Sequence, residues 1–406
     1  MASFDIAIVG GGMVGLTLVR ALRPALDAGA RLVLIDPAPQ PANAAPNSPS
    51  FDDRATALSA FTQTALDRLD VGSRLEPHAS RIDWIEVSDR GHAGYQVMDA
   101  REFPGHPFGA VVANRNLGLA LWQACADLDN VDWRFESSVD RLKPEADHQQ
   151  LTLTDGEVLT ARQVFLCDGG RSPLADRLGI GHRLHDYHAR ARVASLRTEE
   201  PHRGRAFERF TEDGPIALLP FGDYSALVWT VPEHLEGRVQ AMDQAQQLAW
   251  LNEHFGQRLG RITDISETAD YPLVLRQCLE PVRHRLMVLG NSAATLHPVA
   301  GQGFNLAIRS VLRAADRMNT RLVDNLDPGD YATLNDLAQA IDRDQSMTAR
   351  LSDGLVRTFA SNRLGFRLGR NLGLGILDRH PQLNKAFTLA SMGLLQGAPL
   401  PEGARP

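Results

Sequence analysis

Lysine is almost missing from this chain: only Lys143 and Lys385 occur among 42 cationic residues, leaving arginine to carry the positive charge. Such a skew reflects coding bias more than recognition. The 49 acidic residues outnumber the cations, and a net charge of −7 argues against nucleic acid as the main partner. Cysteine is scarce as well. Cys125, Cys167 and Cys278 are odd in number and far apart, so no disulfide framework is implied, and a reducing, cytoplasmic setting is expected. They form no Cys-x-x-Cys pair, which excludes a structural zinc site and a redox-active disulfide. No run of about 18 apolar residues exists, so no membrane-crossing helix is expected. The first residues also lack the basic flank of a secretory signal. What is there is an ordinary globular composition, 43% hydrophobic and 22% charged, over 406 residues, enough for two or three domains.

Asp5 to Val9 is a short β-branched run of the kind buried in a parallel sheet, followed at once by glycines. Leu16 to Leu22 has helical spacing, and Arg31 to Asp36 reads as a second strand, closing a βαβ unit of the usual size. Pro37 to Ser50 is an exposed loop by composition. Helical pattern returns over Ala57–Leu69 and Leu117–Ala126, with strand-like alternation from Ile82 to Val97 between them. Leu151 to Asp168 reads as a hairpin turning at Asp155-Gly156. The middle, Gly181 to Leu275, is rich in strands (Ala189–Leu196, Ala206–Thr211, Ile216–Phe221, Ser225–Val231) and carries one helix, Met242–Phe255. It predicts an antiparallel sheet distinct from the parallel nucleotide domain. A strand over Arg285–Gly290 then feeds a helix over Gly303–Met318, and the last sixty or so residues look helical. The domain expectation is therefore a discontinuous nucleotide domain (1–75, 100–180 and 276–345), a substrate domain (76–99 and 181–275) and a C-terminal helical region (346–406).

Gly10, Gly12 and Gly15 fit Gly-x-Gly-x-x-Gly between strand and helix. The first glycine permits the tight turn, the second lets backbone approach a pyrophosphate, and the third lets the helix pack on the strand. Asp36 ends the second strand 21 residues after Gly15, where a carboxylate accepts the ribose hydroxyls and repels a 2′-phosphate. Both FAD and NAD use this pattern. Two further loops discriminate. Asp168-Gly169 closes a buried strand, and Gly290-Asn291 leads through His297, Pro298, Gly301 and Gly303 to Asn305, again as strand, loop and helix. A helix N-terminus there suits the negative edge of a reduced flavin. An NAD dehydrogenase has no use for such a second turn, so FAD is the expected cofactor.

Taken together, these motifs resemble those of the single-component (class A) FAD-dependent aromatic hydroxylases. Phe51–Ser59, Gly214–Pro220, Gly290–Asn305, Arg370–Leu374 and Ala390–Leu394 are similar to the ubiquinone-biosynthesis branch, most of all to its methoxyphenol hydroxylases. The resemblance spans nearly the whole chain. It implies an α/β (α+β) fold: a Rossmann-like FAD-binding domain of the para-hydroxybenzoate hydroxylase type, an inserted antiparallel-sheet substrate domain and C-terminal helices. It also implies a monooxygenase that uses FAD, NAD(P)H and O₂, through a flavin C4a-hydroperoxide, to hydroxylate a polyprenylated methoxyphenol. Arg54 and Arg115 would touch the flavin cofactor, with Arg54 near the phosphates. One departure stands out: where most of the superfamily has Gly-Asp-Ala-Ala-His, this chain has Asn291 and Ala294 in place of the Asp and the His. The NAD(P)H would bind transiently, since no second dinucleotide fingerprint is present. The alternatives are a related hydroxylase acting at another ring position, a flavin halogenase or prenyl reductase on the same fold, and a non-catalytic flavin scaffold. Halogenases carry Trp-x-Trp, which Trp84, Trp122, Trp133, Trp229 and Trp250 do not form.

No metal or protein nucleophile is needed for such chemistry. His185, Tyr187, His188 and His297 are candidate bases, each set against a structural role. Ile216, Leu218, Leu219 and Phe221 could line a substrate wall or simply fill a core. From Arg350 to Lys385 seven cations face two acids, a net of +5, with apolar residues interleaved. This reads as a basic amphipathic helix that could rest on an anionic inner-membrane surface, dock in a ubiquinone-biosynthesis complex, or pack on the body.

Overall fold

The computed structural model describes residues 2–41, 54–91, 95–102, 107–170, 173–295, 302–360 and 398–401. Its first large sheet runs Val282–Arg283, Leu286–Val288, Val158–Leu166, Ala2–Val9, Leu32–Ile35, Val131–Arg134, and its strands are parallel apart from the first pair. Val9 pairs with Ile35 on one side and Leu166 on the other, and Leu166 pairs with Val288. That register brings the carboxyl ends of four strands level. The loops that begin at Gly10, Asp36, Cys167 and Leu289 therefore emerge side by side at the point where strand order reverses, the crevice in which such sheets bind ligands.

Apolar alternation explains the layers. Ile6, Ile8 and Leu34 face the helices Met13–Ala21, Asn114–Cys125 and Gln302–Val323, joining Leu16, Leu117 and Ile308 in one core. Phe4, Ala7, Val9 and Val33 face the other way, onto Val139, Leu151 and Leu153 of the antiparallel strands Val139–Pro144 and Gln149–Leu153.

The second large sheet follows the order Ala294–Thr295, Ala269–Cys278, His182–Thr198, Tyr224–Pro232, Gly214–Phe221, Arg205–Thr211, Trp84–Asp89, Tyr95–Asp99. It is antiparallel save for one pair, Arg205–Thr211 beside Trp84–Asp89. Helices Glu233–Gln240 and Gln244–Phe255 cover one face, where Trp250, Leu251 and Phe255 pack on Phe207, Leu218 and Trp229. A three-stranded sheet, Ala55–Ser59, Gly109–Ala113 and Ser80–Ile82, lies against the other face.

Three departures from the sequence reading have local causes. The segment expected as helix from Ala57 is strand as far as Ser59, because Ala55–Ser59 pairs with Gly109–Ala113. Helix starts only at Ala60, where the Ser59 hydroxyl accepts the Thr62 N–H. The expected helix from Met242 begins at Gln244, set by a capping box in which Asp243 and Gln246 bond each other's backbone N–H. The polar helix Glu233–Gln240 before it was not anticipated. In the C-terminal region, helix runs over Tyr331–Ala360, and most of the basic 350–385 segment lies outside the described residues. The helix is fastened to Gln302–Val323 by the buried Arg309, whose guanidinium donates to both Asp344 oxygens (2.9 and 3.1 Å) and to Thr348 Oγ1. Among the described residues no helix is long and apolar enough to cross a membrane.

Candidate active site

Gly10 has φ +111°, and a Cβ there would stand 2.6 Å from the Cys167 carbonyl carbon. At Gly15 a Cβ would fall inside the shell of the Gly10 carbonyl oxygen. Both glycines are thus required by the close approach of strand, turn and helix. Gly12 is the N-cap of Met13–Ala21 and no side chain caps that end, so the helix presents bare N–H groups to the crevice. Asp36 is held in place by backbone: one carboxylate oxygen accepts the Gly11 N–H (2.5 Å), the other the Ala38 N–H (2.7 Å).

The second and third loops are tied to each other. Ser292 Oγ donates to Asp168 Oδ1 (2.7 Å), and the Gly170 N–H donates to both that oxygen (2.9 Å) and Ser292 Oγ (3.0 Å). Gly169 and Gly170 are both left-handed, at φ +71° and +70°. Gly290, at φ +64°, leaves room for Val14: a Cβ would approach the valine methyls at 2.9 and 3.0 Å. The first-turn helix and the third loop therefore touch. Ser292, Val14 and Arg276 escaped the sequence reading. Arg276 reaches from the antiparallel sheet to donate to the Gly170 carbonyl (3.2 Å) and lies 3.2 Å from His182 Nδ1. Such long-range pairs leave no spacing signal.

The remaining expected residues divide. Asn291 is exposed beside the third loop, and the Arg54 guanidinium lies over the Tyr271 ring at 5.0 Å. Arg115 is exposed on the first turn of Asn114–Cys125. Asn305, expected at the cofactor, turns its amide to the small sheet: Nδ2 donates to the Ala57 carbonyl (2.9 Å) and Oδ1 accepts the Ser59 N–H (2.9 Å). Gly303, next to the start of the same helix, has open space where a Cβ would be. His297, Pro298 and Gly301 lie outside the described residues.

On the antiparallel sheet the expected wall splits in two. Ile216 and Leu218 point into the helix-covered core, which corrects their candidacy, whereas Leu219 and Phe221 pack on the opposite face with Ile85, Val87, Ala55 and Ala57. His185 and Tyr187 contact each other edge to face, 4.8 Å apart, at the strand's exposed end. His188 sits in a bulge at φ +51° and pairs with the exposed Glu233 (3.2 Å). Burial pushes the Cys125 thiol up to about 12 and raises those of Cys167 and Cys278 as well, so none is a thiolate at neutral pH. Glu208 is different: enclosure alone pushes its carboxyl up to about 7. Among the described residues no cluster of His, Cys, Asp and Glu could hold a metal ion.

A parallel sheet whose strand-end loops bare glycine backbone to a dinucleotide, joined to an antiparallel sheet, is the architecture of flavin monooxygenases. p-Nitrophenol 4-monooxygenase PnpA from Pseudomonas putida superposes with a TM-score of 0.75 over 100% of both chains at 17% identity, which speaks for the fold. The FAD binding domain family model matches residues 3–323. Ubiquinone hydroxylase UbiL of Rhodospirillum rubrum is 33% identical over 98% of this chain and 91% of its own length. The 3-demethoxyubiquinol 3-hydroxylase of Escherichia coli is 32% identical over 96% of this chain and 98% of its own. This chain belongs to the FAD-dependent ring hydroxylases of ubiquinone biosynthesis. It is an FAD-dependent monooxygenase, and the cradle of Gly10, Gly15 and the uncapped helix fits that cofactor.

Proposed function

We propose that the chain hydroxylates a polyprenylated methoxyphenol, 2-polyprenyl-6-methoxyphenol going to the 1,4-benzoquinol, with NAD(P)H and O₂ as co-substrates. The observation that carries this reading is full-length similarity to a ubiquinone hydroxylase. Gly10, Gly12 and Gly15 would hold the pyrophosphate, Asp36 the ribose, and the Asp168–Ser292 junction the stretch between the two ends of the cofactor. Arg54, which lies over Tyr271, and Arg115 would supply cations to the cofactor. When bound, FAD takes reducing equivalents from NAD(P)H and activates O₂ for transfer of one oxygen atom to the ring. The protein's part is to orient ring and cofactor and to exclude water.

A second reading places the new hydroxyl on another ring carbon, favoured by similarity to the 3-demethoxyubiquinol 3-hydroxylase. Quinone profiling of a strain lacking this chain separates the two. Accumulated 2-polyprenyl-6-methoxyphenol supports the first, and a demethoxyubiquinol supports the second. A flavin scaffold without activity would bind FAD that NAD(P)H never reduces, even with phenol present.

A polyprenyl tail is insoluble, so the substrate must come from a membrane or a presenting partner. The basic 350–385 segment suits an anionic surface. Flotation with anionic liposomes tests this: a chain truncated at Ser352 should stay in the dense fraction, and unchanged flotation removes the membrane role.

A further inference from the structure

Strand Arg205–Thr211 lies inside the antiparallel sheet, and its residues alternate between two different environments. Phe207 faces the helices and meets Phe255 at 5.6 Å between ring centroids. Ala206 points the other way, into the cluster that holds Ile85, Val87, Leu219 and Phe221 together with Ala55 and Ala57 of the small sheet. Glu208 shares that second face. Its register partners are Val87 on one side and Ala217 on the other, and Ala217 in turn pairs with Val228. An acid thus stands in the middle of an apolar row.

This face is tied to the cofactor crevice through the small sheet that packs on it. Ala55–Ser59, which packs against it, is bonded through Ala57 and Ser59 to Asn305 in the first turn of the helix that follows the third loop. Arg54, one residue before that strand, rests on Tyr271, and Tyr271 belongs to the same face by its pairing through Ala191 and Thr230. The backbone of helix Tyr331–Ala360 also reaches strand Arg205–Thr211. Among the described residues Glu208 has no hydrogen-bond or ion-pair partner; it is half-buried, and the apolar neighbours around it raise its carboxyl. A half-buried carboxyl in an apolar row with no protein partner keeps its lone pairs open to a hydrogen-bond donor on a ligand.

We propose that Glu208 is the catalytic residue that receives the substrate's phenol hydroxyl, accepting its hydrogen bond and then its proton as the ring takes up oxygen. The inference rests on the reading of this chain as a phenol hydroxylase. The O–H bond of the phenol breaks and an O–H bond forms on the carboxylate, with no change of oxidation state. The carboxyl returns its proton to the same oxygen while the ring C–H proton leaves to solvent and aromaticity is restored, so the carboxylate is regenerated and no further reactant is consumed. Withdrawing the proton raises electron density on the ring carbon to be hydroxylated.

Among the described residues, Asp89 stands on the neighbouring strand of this face, and Tyr271 and Arg54 lie at its far end; the helix Tyr331–Ala360 carries Asp344, which is held by Arg309 and Arg313.

The test uses FAD-loaded enzyme with a short-chain prenyl methoxyphenol. E208Q should lower kcat by roughly 10²-fold with little change in KM, and should erase the acid limb of the pH profile. An activity-free readout is the infrared carboxyl difference between wild type and E208Q in the oxidised protein. Adding the phenol should move the Glu208 ionisation to lower pH, because a donated O–H favours the charged carboxylate. The methyl ether of the same compound should not. Equal titrations with both ligands, or E208Q activity within twofold of wild type, would overturn the proposal. The infrared arm needs no turnover, so failure of the hydroxylase reading appears separately, as FAD that NAD(P)H does not reduce when phenol is present. Should E208Q emerge without FAD, E208D carries the test. A retained acid limb with reduced kcat supports the role, and equal loss of FAD assigns Glu208 to folding and overturns it.

Discussion

At the ends of the parallel strands, backbone on at least one side makes most of the contacts that shape the crevice. Gly10 sits on Cys167, Gly15 on Gly10, Gly290 on Val14, and Asp36 is oriented by two N–H groups. On the antiparallel sheet, side chains do that work: Arg192 grips Asp270, Leu219 and Phe221 meet the small sheet, and Glu208 stands alone. A ligand that never varies, a dinucleotide, is met by groups that cannot vary. The antiparallel face is built from groups that can be exchanged without disturbing the strands, so under the proposed reading one half would fix the cofactor and the other would set what is oxidised.

The strongest way to break this contrast is at Gly15. Gly15→Val would drive a side chain into the Gly10 carbonyl. The expected outcome is complete loss of bound FAD, read as colourless protein, while circular dichroism of the antiparallel sheet persists. Asp270→Ala is the mirror image. Arg192, 6% exposed in its side chain, would lose both 2.8 Å bonds to the carboxylate and remain as a buried, unpaired cation. Stability should fall by about 3 kcal/mol in urea titration, with the yellow colour retained in the folded fraction. Colour lost in the second variant, or kept in the first, would dissolve the division.

How much of each half could be read beforehand follows the same line. Glycine spacing after a β-branched run is a backbone requirement written locally, so the tight turn at Gly10 and Gly15 was legible, as was the FAD fold it announces. The Asp168–Ser292 and Asn305–Ser59 bonds join residues 124 and 246 positions apart, and no periodicity encodes such pairs. Asn305 shows the limit well: its place in the motif was plain, but its amide serves the small sheet. Ala57 to Ser59 looked helical because alanine and leucine carry no strand signal, and only pairing with Gly109–Ala113 makes them strand. Glu208 left no trace at all, since a single acid in an alternating strand reads as solvent-facing.

Acid sharpens the comparison by touching both halves at once. The Arg192 hydrogen bonds hold the Asp270 carboxyl below its usual range, and those of Arg285 do the same for Asp327. A carboxylate with a depressed folded pKa lends stability above its unfolded value, and that stability is lost as pH falls through the folded one. Thermal midpoints should therefore drop steeply below about pH 4. Asp327→Asn should flatten part of that fall, as should Asp270→Asn, with the depressed carboxyls of Asp99, Glu145, Asp147, Glu199 and Asp330 carrying the remainder. A slope that neither variant alters would assign the acid sensitivity to those other carboxyls alone.

The smallest effect is expected at His188, which separates the sheet's edge from its face. Its side chain is 74% exposed, its own N–H donates to Asp186 Oδ1 (2.8 Å), and its φ of +51° belongs to the bulge between Asp186 and Arg190. Such a residue is kept for the backbone turn rather than for its ring. His188→Ala should leave kcat and KM within about twofold and cost about 0.5 kcal/mol or less. His188→Gly should gain a few tenths of a kcal/mol, because glycine adopts that φ without strain. If His188→Ala instead abolished the acid limb of the pH profile, proton transfer would belong to the solvent edge of the sheet. The apolar row around Glu208 would then be packing alone.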